Sequence, residues 1–174
     1  MQSPFRLRHR AIESLPNLMK LNLKMMPFFM QKAVGERLLN QFFSDAIQDD
    51  ELYFLEDKVM AILVKDLDYL LNITVQNGRI SLLPLTAKAD VTLSANHDDL
   101  VYMMTRFEDP DTLFFKRKLK IEGETALGLE AKNWLDSMEL DILPNWCKTP
   151  LMQYAHELKR IEASLPESSA VLTP

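Results

Sequence analysis

The chain has 174 residues, 47% of them hydrophobic and 26% charged, as in one globular domain with a sizeable core. Its net charge of −5 disfavours nucleic acid as a general partner, because phosphate binding needs a positive field. The single cysteine, Cys147, excludes an internal disulfide and fits a reducing compartment, so we expect a cytoplasmic protein.

Basic residues are concentrated at the amino terminus, where residues 1–32 hold six bases and one acid. This segment has no clean apolar run of a signal peptide, and its longest uncharged run, residues 25–31, is too short to span a bilayer. We predict that residues 1–31 form a basic amphipathic arm that contacts an anionic membrane surface peripherally. The alternative is an arm that packs on its own domain or on a partner. The predicted membrane-contact residues are Arg6, Arg8, Arg10, Lys20, Lys24, Phe28 and Phe29.

The period of the apolar residues changes along the chain. Helical spacing over residues 5–31 and Lys32–Gln48 is followed by shorter runs that favour strands. Leu52–Leu55 and Val59–Val64 are predicted to form a hairpin. Tyr69–Gln76 alternates apolar and polar residues, as a half-buried strand does.

The dipeptide Asn77-Gly78 is the strongest local signal, because a two-residue hairpin turn needs positive φ at both central positions. Such a turn places Gln76 opposite Arg79, Val75 opposite Ile80 and Ile73 opposite Leu82. The apolar partners then share one face of an antiparallel pair.

The remaining elements alternate between strands and helices. They are a strand over residues 89–94, a helix from Asn96 to about Phe107, a short helix after Asp109, a strand over Lys118–Glu122, and helices over Thr125–Met138 and Leu151–Ala163. This order predicts an α+β fold, a single sheet of about five strands with helices covering one face. We divide the chain into the arm (1–31), a sheet domain (32–146), a carboxy-terminal helix (147–163) and a disordered tail (164–174).

Catalytic and metal-binding motifs are not evident. The sequence lacks glycine-rich phosphate loops and a nucleophile elbow, and its three histidines are far apart. His97 beside Asp98 and Asp99 is more simply an acidic helix start, and Asp109 and Asp111 around Pro110 more simply form a turn and cap. We therefore expect no enzyme activity, no metal and no cofactor.

Large, soft apolar side chains are abundant, including ten methionines, which suit a cavity of variable content. An ordinary filled core is the alternative for any one of them. The predicted lipid-binding residues are Ile62, Ile73, Leu93, Leu100, Met103, Met104, Phe107, Phe114, Leu127, Trp134 and Met138.

The segment from Phe107 to Leu129 (FEDPDTLFFKRKLKIEGETALGL), continuing through Lys132-Asn133 to Met138-Glu139, resembles the sterol carrier protein type 2 family. Within that family it is similar to the bacterial accessory factors of oxygen-independent ubiquinone biosynthesis. The resemblance covers about residues 20–145. It implies a five-stranded, mostly antiparallel sheet whose helices enclose an apolar tunnel. It also implies binding of ubiquinone intermediates or phospholipid and partnership with iron–sulfur hydroxylation proteins of the pathway. It supplies no catalytic residue.

Three hypotheses follow. The first is an accessory protein that holds or presents hydrophobic quinone precursors or phospholipid to modifying enzymes. The second is an assembly scaffold that binds no lipid. The third, least favoured, is an enzyme with Asp98 or Asp109 as a base, although neither has an obvious orienting partner in the sequence.

Overall fold

The structure is a computed structural model that describes residues 26–138 and 144–164. The predicted arm before residue 26 and the predicted tail after Ser164 lie outside these residues, and Ser164 itself ends the last helix. The described elements are α1 (Phe28–Phe42), α2 (Ser44–Gln48), a 3-10 helix (Tyr53–Leu55), β1 (Met60–Val64), β2 (Tyr69–Gln76), β3 (Arg79–Leu83), β4 (Val91–Ala95), α3 (His97–Met104), α4 (Pro110–Phe115), β5 (Lys120–Gly123), α5 (Thr125–Ser137) and α6 (Asn145–Ser164).

The strands form one mixed sheet in the order β3-β2-β1-β4-β5. Neighbouring strands are antiparallel except β1 and β4, which are parallel. The predicted α+β class with a five-stranded, mostly antiparallel sheet is confirmed.

The β2–β3 hairpin has the predicted geometry. Asn77 and Gly78 have φ angles of 52° and 66°, and Gln76 lies opposite Arg79, as the two-residue turn requires. The register places Val75 opposite Ile80 and Ile73 opposite Leu82. This prediction is confirmed because both the turn and the alternation are local properties of the sequence.

One face of the sheet is apolar and carries the core. Met60 of β1 lies between Ile73 of β2 and Val91 of β4, and none of the three is more than 5% exposed. Helix α1 packs on β3, and helix α5 packs on β4 and β5. Burial of such side chains contributes about 1.5–3 kcal/mol each. The core therefore lies between this face and the helices.

Helix α1 is bound to the outer edge of the sheet by side chains. The amide of Asn40 donates to the carbonyl of Ile80 at 2.7 Å and accepts from the Ile80 N–H at 3.0 Å. The Leu82 N–H donates to Glu36 Oε1 at 2.8 Å. These bonds satisfy backbone groups that an edge strand leaves unpaired. They also fix the position of α1 over the apolar face.

The turn from β5 into α5 requires a glycine. Gly123 has a φ of 123°, and a Cβ at this position would lie 2.3 Å from the carbonyl oxygen of Asp90. No side chain fits there without moving the backbone. The close approach sets where α5 begins on the sheet.

Helix α6 packs on α3 through polar side chains. Tyr102 is fully buried, and its hydroxyl donates to Glu162 at 3.1 Å. His97 Nε2 lies 3.0 Å from the hydroxyl of Tyr154. This interface therefore differs in kind from the apolar core.

The predicted strand at Leu52–Leu55 is wrong, and so is its hairpin with β1. Tyr53–Leu55 is a 3-10 helix, and Leu52 and Leu55 are 2% and 1% exposed. A spacing of three places both side chains on one side of a 3-10 turn. So short an apolar run does not distinguish a strand from a helical turn.

Several predicted boundaries also move. The predicted helix Lys32–Gln48 is two helices that meet at Phe43, and the first begins at Phe28, directly after Pro27. The predicted helix to Phe107 ends at Met104, the strand predicted from Lys118 begins at Lys120, and the helix predicted from Leu151 begins at Asn145 and contains Pro150. The first of these shifts places residue 31, the predicted end of the arm, inside α1.

Candidate functional site

An apolar cavity of about 280 Å³ lies between the sheet face and helices α1, α3 and α5. All but one of its lining side chains are apolar. The lining residues are Leu39, Phe42, Phe43, Leu52, Leu55, Met60, Ile62, Ile73, Ile80, Leu93, Leu100, Met103, Met104, Arg106, Trp134, Leu135 and Met138.

The cavity forms because flexible and aromatic residues meet over the middle strands. Trp134 of α5 packs against Phe43, with ring centroids 5.2 Å apart, and against Phe54 at 6.3 Å. Met103 and Met104 of α3 also line the cavity. Unbranched thioether side chains adapt their shape at small energetic cost. Such a wall suits a ligand with a flexible hydrocarbon tail.

Arg106 is the one charged residue in the lining. Its guanidinium donates to the carbonyl oxygen of Asp136 at 2.8 Å, so it is held between the ends of α3 and α5. Met104 beside it is 39% exposed and also lines the cavity. We place the mouth here, because exposed lining residues mark where the cavity meets solvent. Arg106 was not among the predicted site residues.

The structure brings eight of the eleven predicted lipid-binding residues to this cavity. They are Ile62, Ile73, Leu93, Leu100, Met103, Met104, Trp134 and Met138.

Phe107, Phe114 and Leu127 do not line it. Phe107 packs edge-on against His156 of α6, with centroids 4.8 Å apart. It leaves the α3 stripe because the backbone turns at Arg106, whose φ is 56°. Phe114 is 39% exposed at the end of α4, and Leu127 is 5% exposed in the filled core.

The predicted site residues did not include the side chains of α1 that line the cavity. Leu39, Phe42 and Phe43, which line the cavity, lie within the helix predicted over Lys32–Gln48. Their spacing indicated burial, but not which void they would face.

A second cavity, of about 530 Å³, lies near the first turn of α1 and is more polar. The hydroxyl of Tyr69 donates to Gln31 at 3.1 Å, and the amide of Asn72 donates to the carbonyl of Pro84 at 3.0 Å. An extended hydrocarbon chain suits the first cavity better, because all but one of its lining side chains are apolar, whereas Gln31, Tyr69 and Asn72 line the second and would lose solvation.

Of the predicted membrane-contact residues, Arg6, Arg8, Arg10, Lys20 and Lys24 lie outside the described residues. Phe28 and Phe29 lie in the first turn of α1, where they are 37% and 70% exposed. Within residues 26–138 and 144–164, no helix combines the length and apolar character needed to cross a membrane.

Asp98 and Asp109, the two residues considered as catalytic bases, both accept hydrogen bonds, Asp98 from the Asp99 N–H at 2.9 Å. Asp109 accepts hydrogen bonds from the backbone N–H and hydroxyl of Thr112, at 2.7 and 2.6 Å, which caps α4. These bonds hold the pKa of Asp109 below its usual value. In the described part of the chain, no group of three or more histidine, cysteine or acidic side chains is arranged to hold a metal.

Polar partners of His97 come from distant segments. Its Nδ1 contacts Asp66 Oδ2, and its backbone N–H donates to Asp66 Oδ1 at 2.9 Å. Burial acts to raise the pKa of Asp66, but the bonds from His97 lower it to below its ordinary value. With Tyr154 on the other ring nitrogen, this cluster ties α6 to the loop after β1. None of these three residues lines the cavity, so the cluster has a structural role.

A second ion pair lies nearby. Asp99 is 3% exposed and pairs with Lys118 at 3.1 Å. Burial raises the pKa of Asp99, although the hydrogen bond from Lys118 acts in the opposite direction.

An α+β sheet with one helix-covered face and an apolar cavity beneath it defines a domain of the sterol carrier type. The profile of the SCP-2 sterol transfer family matches residues 36–136. The chain belongs to this family.

Relatives and solved structures agree. The chain is 38% identical over 163 residues to the ubiquinone biosynthesis accessory factor UbiT of Escherichia coli K12, covering 94% of this chain and 93% of that protein. It is 40% identical over 62 residues to sterol carrier protein 2 of Bos taurus, which covers 35% of this chain and 11% of that protein. The solved structure titled UbiJ-SCP2 Ubiquinone synthesis protein has a TM-score of 0.50 at 21% identity and covers 63% of this chain and 97% of that one, which supports the fold.

Proposed function

We propose that this chain is an accessory protein of ubiquinone biosynthesis that holds hydrophobic quinone intermediates or phospholipid and presents them to modifying enzymes. The observation that carries the proposal is the apolar cavity between the sheet, α1, α3 and α5. The likeness over 94% of the chain to the UbiT protein supports the pathway.

The energetics of lipid extraction favour this cavity. Removing a hydrocarbon chain from a bilayer costs about 0.8 kcal/mol per CH₂, so ten carbons need replacement of about 8 kcal/mol. Only a continuous apolar wall supplies that much. The cavity volume of about 280 Å³ lies near the lower end of ligand pockets, about 300–1,000 Å³. We propose that it holds the first part of a tail whose remainder leaves through the mouth at Met104 and Arg106.

The finer parts of the proposal follow from the family likeness and the sequence. The pathway branch is oxygen-independent, the enzymes served are its iron–sulfur hydroxylation proteins, and the protein works at the cytoplasmic face of a membrane. The eight predicted residues at the cavity bind the ligand tail. The basic arm contacts the membrane peripherally, and catalysis belongs to the partner enzymes.

The direct test measures uptake of a short-tailed quinone, decylubiquinone, by delipidated protein. We expect saturable, one-to-one binding by the wild type and loss of binding in Met103→Glu, because a carboxylate in the cavity is costly to desolvate. Tyr53→Glu is the matched control, since Tyr53 is 58% exposed and lies outside the lining.

The assembly scaffold is the second candidate, supported by exposed apolar side chains on α1 such as Phe29 and Val34, 70% and 52% exposed. Co-purification with the partner enzymes distinguishes the lipid carrier from the scaffold. Loss of ligand uptake in Met103→Glu with an intact complex supports the carrier. No uptake by the wild type, combined with loss of the complex in Phe29→Ser/Val34→Ser, supports the scaffold.

A further inference from the structure

Four consecutive exposed residues lie at the end of α4: Phe114, Phe115, Lys116 and Arg117. We call this segment the aromatic–basic tip. Phe115 is 80% exposed, more than any other large hydrophobic residue in the described ranges. The rings of Phe114 and Phe115 contact each other edge-on, with centroids 6.0 Å apart. The tip therefore presents a small apolar surface to solvent.

The backbone around the tip is well packed. Leu113 before it and Leu119 after it are each 1% exposed. Lys118 pairs with the buried Asp99 at 3.1 Å and fixes the strand that leaves the tip. The buried residues on both sides therefore fix the segment so that the two phenyl rings are exposed to solvent, although exposure of apolar surface is unfavourable.

The charge at the tip is opposite to that of the whole chain. Residues 114–120 contain four bases and no acid, in a chain of net charge −5. Lys116 lies 3.3 Å from Glu108. Among the described residues, neither Arg117 nor Lys120 forms an ion pair, and both are exposed. Two exposed cations within six residues of Phe114 in the sequence therefore remain available to an anionic partner.

We propose that the aromatic–basic tip inserts into the surface of a bilayer that contains anionic lipid. Phe114 and Phe115 enter the boundary between headgroups and acyl chains, and Arg117 and Lys120 bind lipid phosphates. A bilayer fits better than a protein partner, because four residues present far less than the roughly 800 Å² that each side of a stable protein interface buries. The proposal concerns a surface separate from the arm and does not require the cavity to hold a lipid.

The first test is co-sedimentation of the full chain with vesicles of phosphatidylcholine and phosphatidylglycerol at a ratio of about three to one. We expect Arg117→Ala to weaken partitioning roughly fivefold. Phe114→Ser/Phe115→Ser should weaken it roughly tenfold or more, because two rings no longer bury in the membrane. Leu85→Ser is the control: Leu85 is 62% exposed and follows β3, at the opposite edge of the sheet from β5.

The second test reports insertion of the tip itself, because sedimentation also responds to the basic arm. Phe115→Cys and Leu85→Cys, each in a Cys147→Ser background, are labelled with nitrobenzoxadiazole. We expect a blue shift and stronger emission on anionic vesicles for the label at 115 and none at 85. An aqueous spectrum at 115 while the chain is sedimented would overturn the proposal, as would tip variants that bind like the wild type. Failure of the wild type to bind anionic vesicles overturns it as well. Decylubiquinone uptake, measured without vesicles, is unaffected by these outcomes.

Discussion

The cavity and the α3–α6 interface are built on two sides of the same helix with opposite chemistry. On the cavity side, Leu100, Met103 and Met104 of α3 face apolar side chains that leave a void. On the other side, Tyr102 and Asp99 are buried against charged partners. Apolar contacts are non-directional, so a wall made of them tolerates a change of content. Hydrogen bonds and ion pairs require fixed geometry. Helix α3 is therefore held in place through its polar side, while its apolar side can adapt to a ligand.

Overpacking should destabilise the chain far more in the filled core than in the cavity. Leu119→Phe should destabilise the chain by about 1–3 kcal/mol, because Leu119 is 1% exposed and has no room beside it. Ile62→Phe, which points a larger side chain into the cavity, should leave stability unchanged within about 0.5 kcal/mol while reducing decylubiquinone uptake. Urea denaturation measures both. Equal losses for the two variants would show that the void is already filled.

The next effect concerns the polar side. Lys118→Met leaves Asp99 buried without its partner and should destabilise the fold by about 2 kcal/mol. This loss is smaller than the roughly 3–5 kcal/mol expected when one partner of a fully buried ion pair is removed, because the Lys118 side chain is 36% exposed. Lys120→Met is the matched control, with an exposed lysine two residues along the same segment. The two variants are compared by urea denaturation at neutral pH. If both behave alike, the ion pair does not hold α3.

A smaller effect is expected where α1 joins the sheet. Asn40→Ala removes two hydrogen bonds to Ile80 and should destabilise the chain by about 1 kcal/mol. Because Leu39, Phe42 and Phe43 form one wall of the cavity, quinone uptake should weaken as well. Asn40→Asp should keep one acceptor for the Ile80 N–H, so its stability should lie between those of the wild type and Asn40→Ala. Thermal unfolding and ligand titration of the wild type and the two variants check this order of stability and of uptake. A loss of stability without weaker uptake would show that the attachment of α1 to β3 does not affect the cavity.

The smallest effect is a pH dependence at the Asp66–His97 contact. Since the pKa of Asp66 is lowered in the fold, its ionised form stabilises the chain above the ordinary value of 3.8, and this contribution is lost as pH falls through the lowered value. Asp66 is 33% exposed, so Asp66→Asn should lose less than about 1 kcal/mol at neutral pH. The stability difference between Asp66→Asn and the wild type, measured by urea denaturation from pH 6 to pH 3, should become smaller as the pH falls. A deficit that stays constant would contradict the contact.

Local signals in the sequence predicted much of the fold. The β2–β3 hairpin was predicted from Asn77-Gly78 and from the alternation of apolar and polar residues before it. Helix α5 was predicted over nearly the same residues, Thr125–Met138. Leu52–Leu55 was mispredicted because a run of four residues fits two periods. The α+β class needed only the order of elements.

The site was predictable in its composition but not in its full geometry. Met103 and Trp134 were predicted from the sequence and line the cavity. Phe107 was predicted as well, because the helix was expected to continue to about Phe107, but it ends at Met104. Arg106 carried no periodic signal. The tie between Asp66, His97 and Tyr154 joins positions 31 and 57 residues apart, and no local pattern encodes such a contact.

The proposed function requires a cavity that takes up an apolar chain. Mass spectrometry of the intact protein under non-denaturing conditions, before and after solvent extraction and again after adding decylubiquinone, tests this most directly. We predict one apolar ligand per chain as purified, its loss on extraction, and recovery of one bound quinone in the wild type but not in Met103→Glu. A chain with the same mass before and after extraction that takes up no quinone would contradict the account.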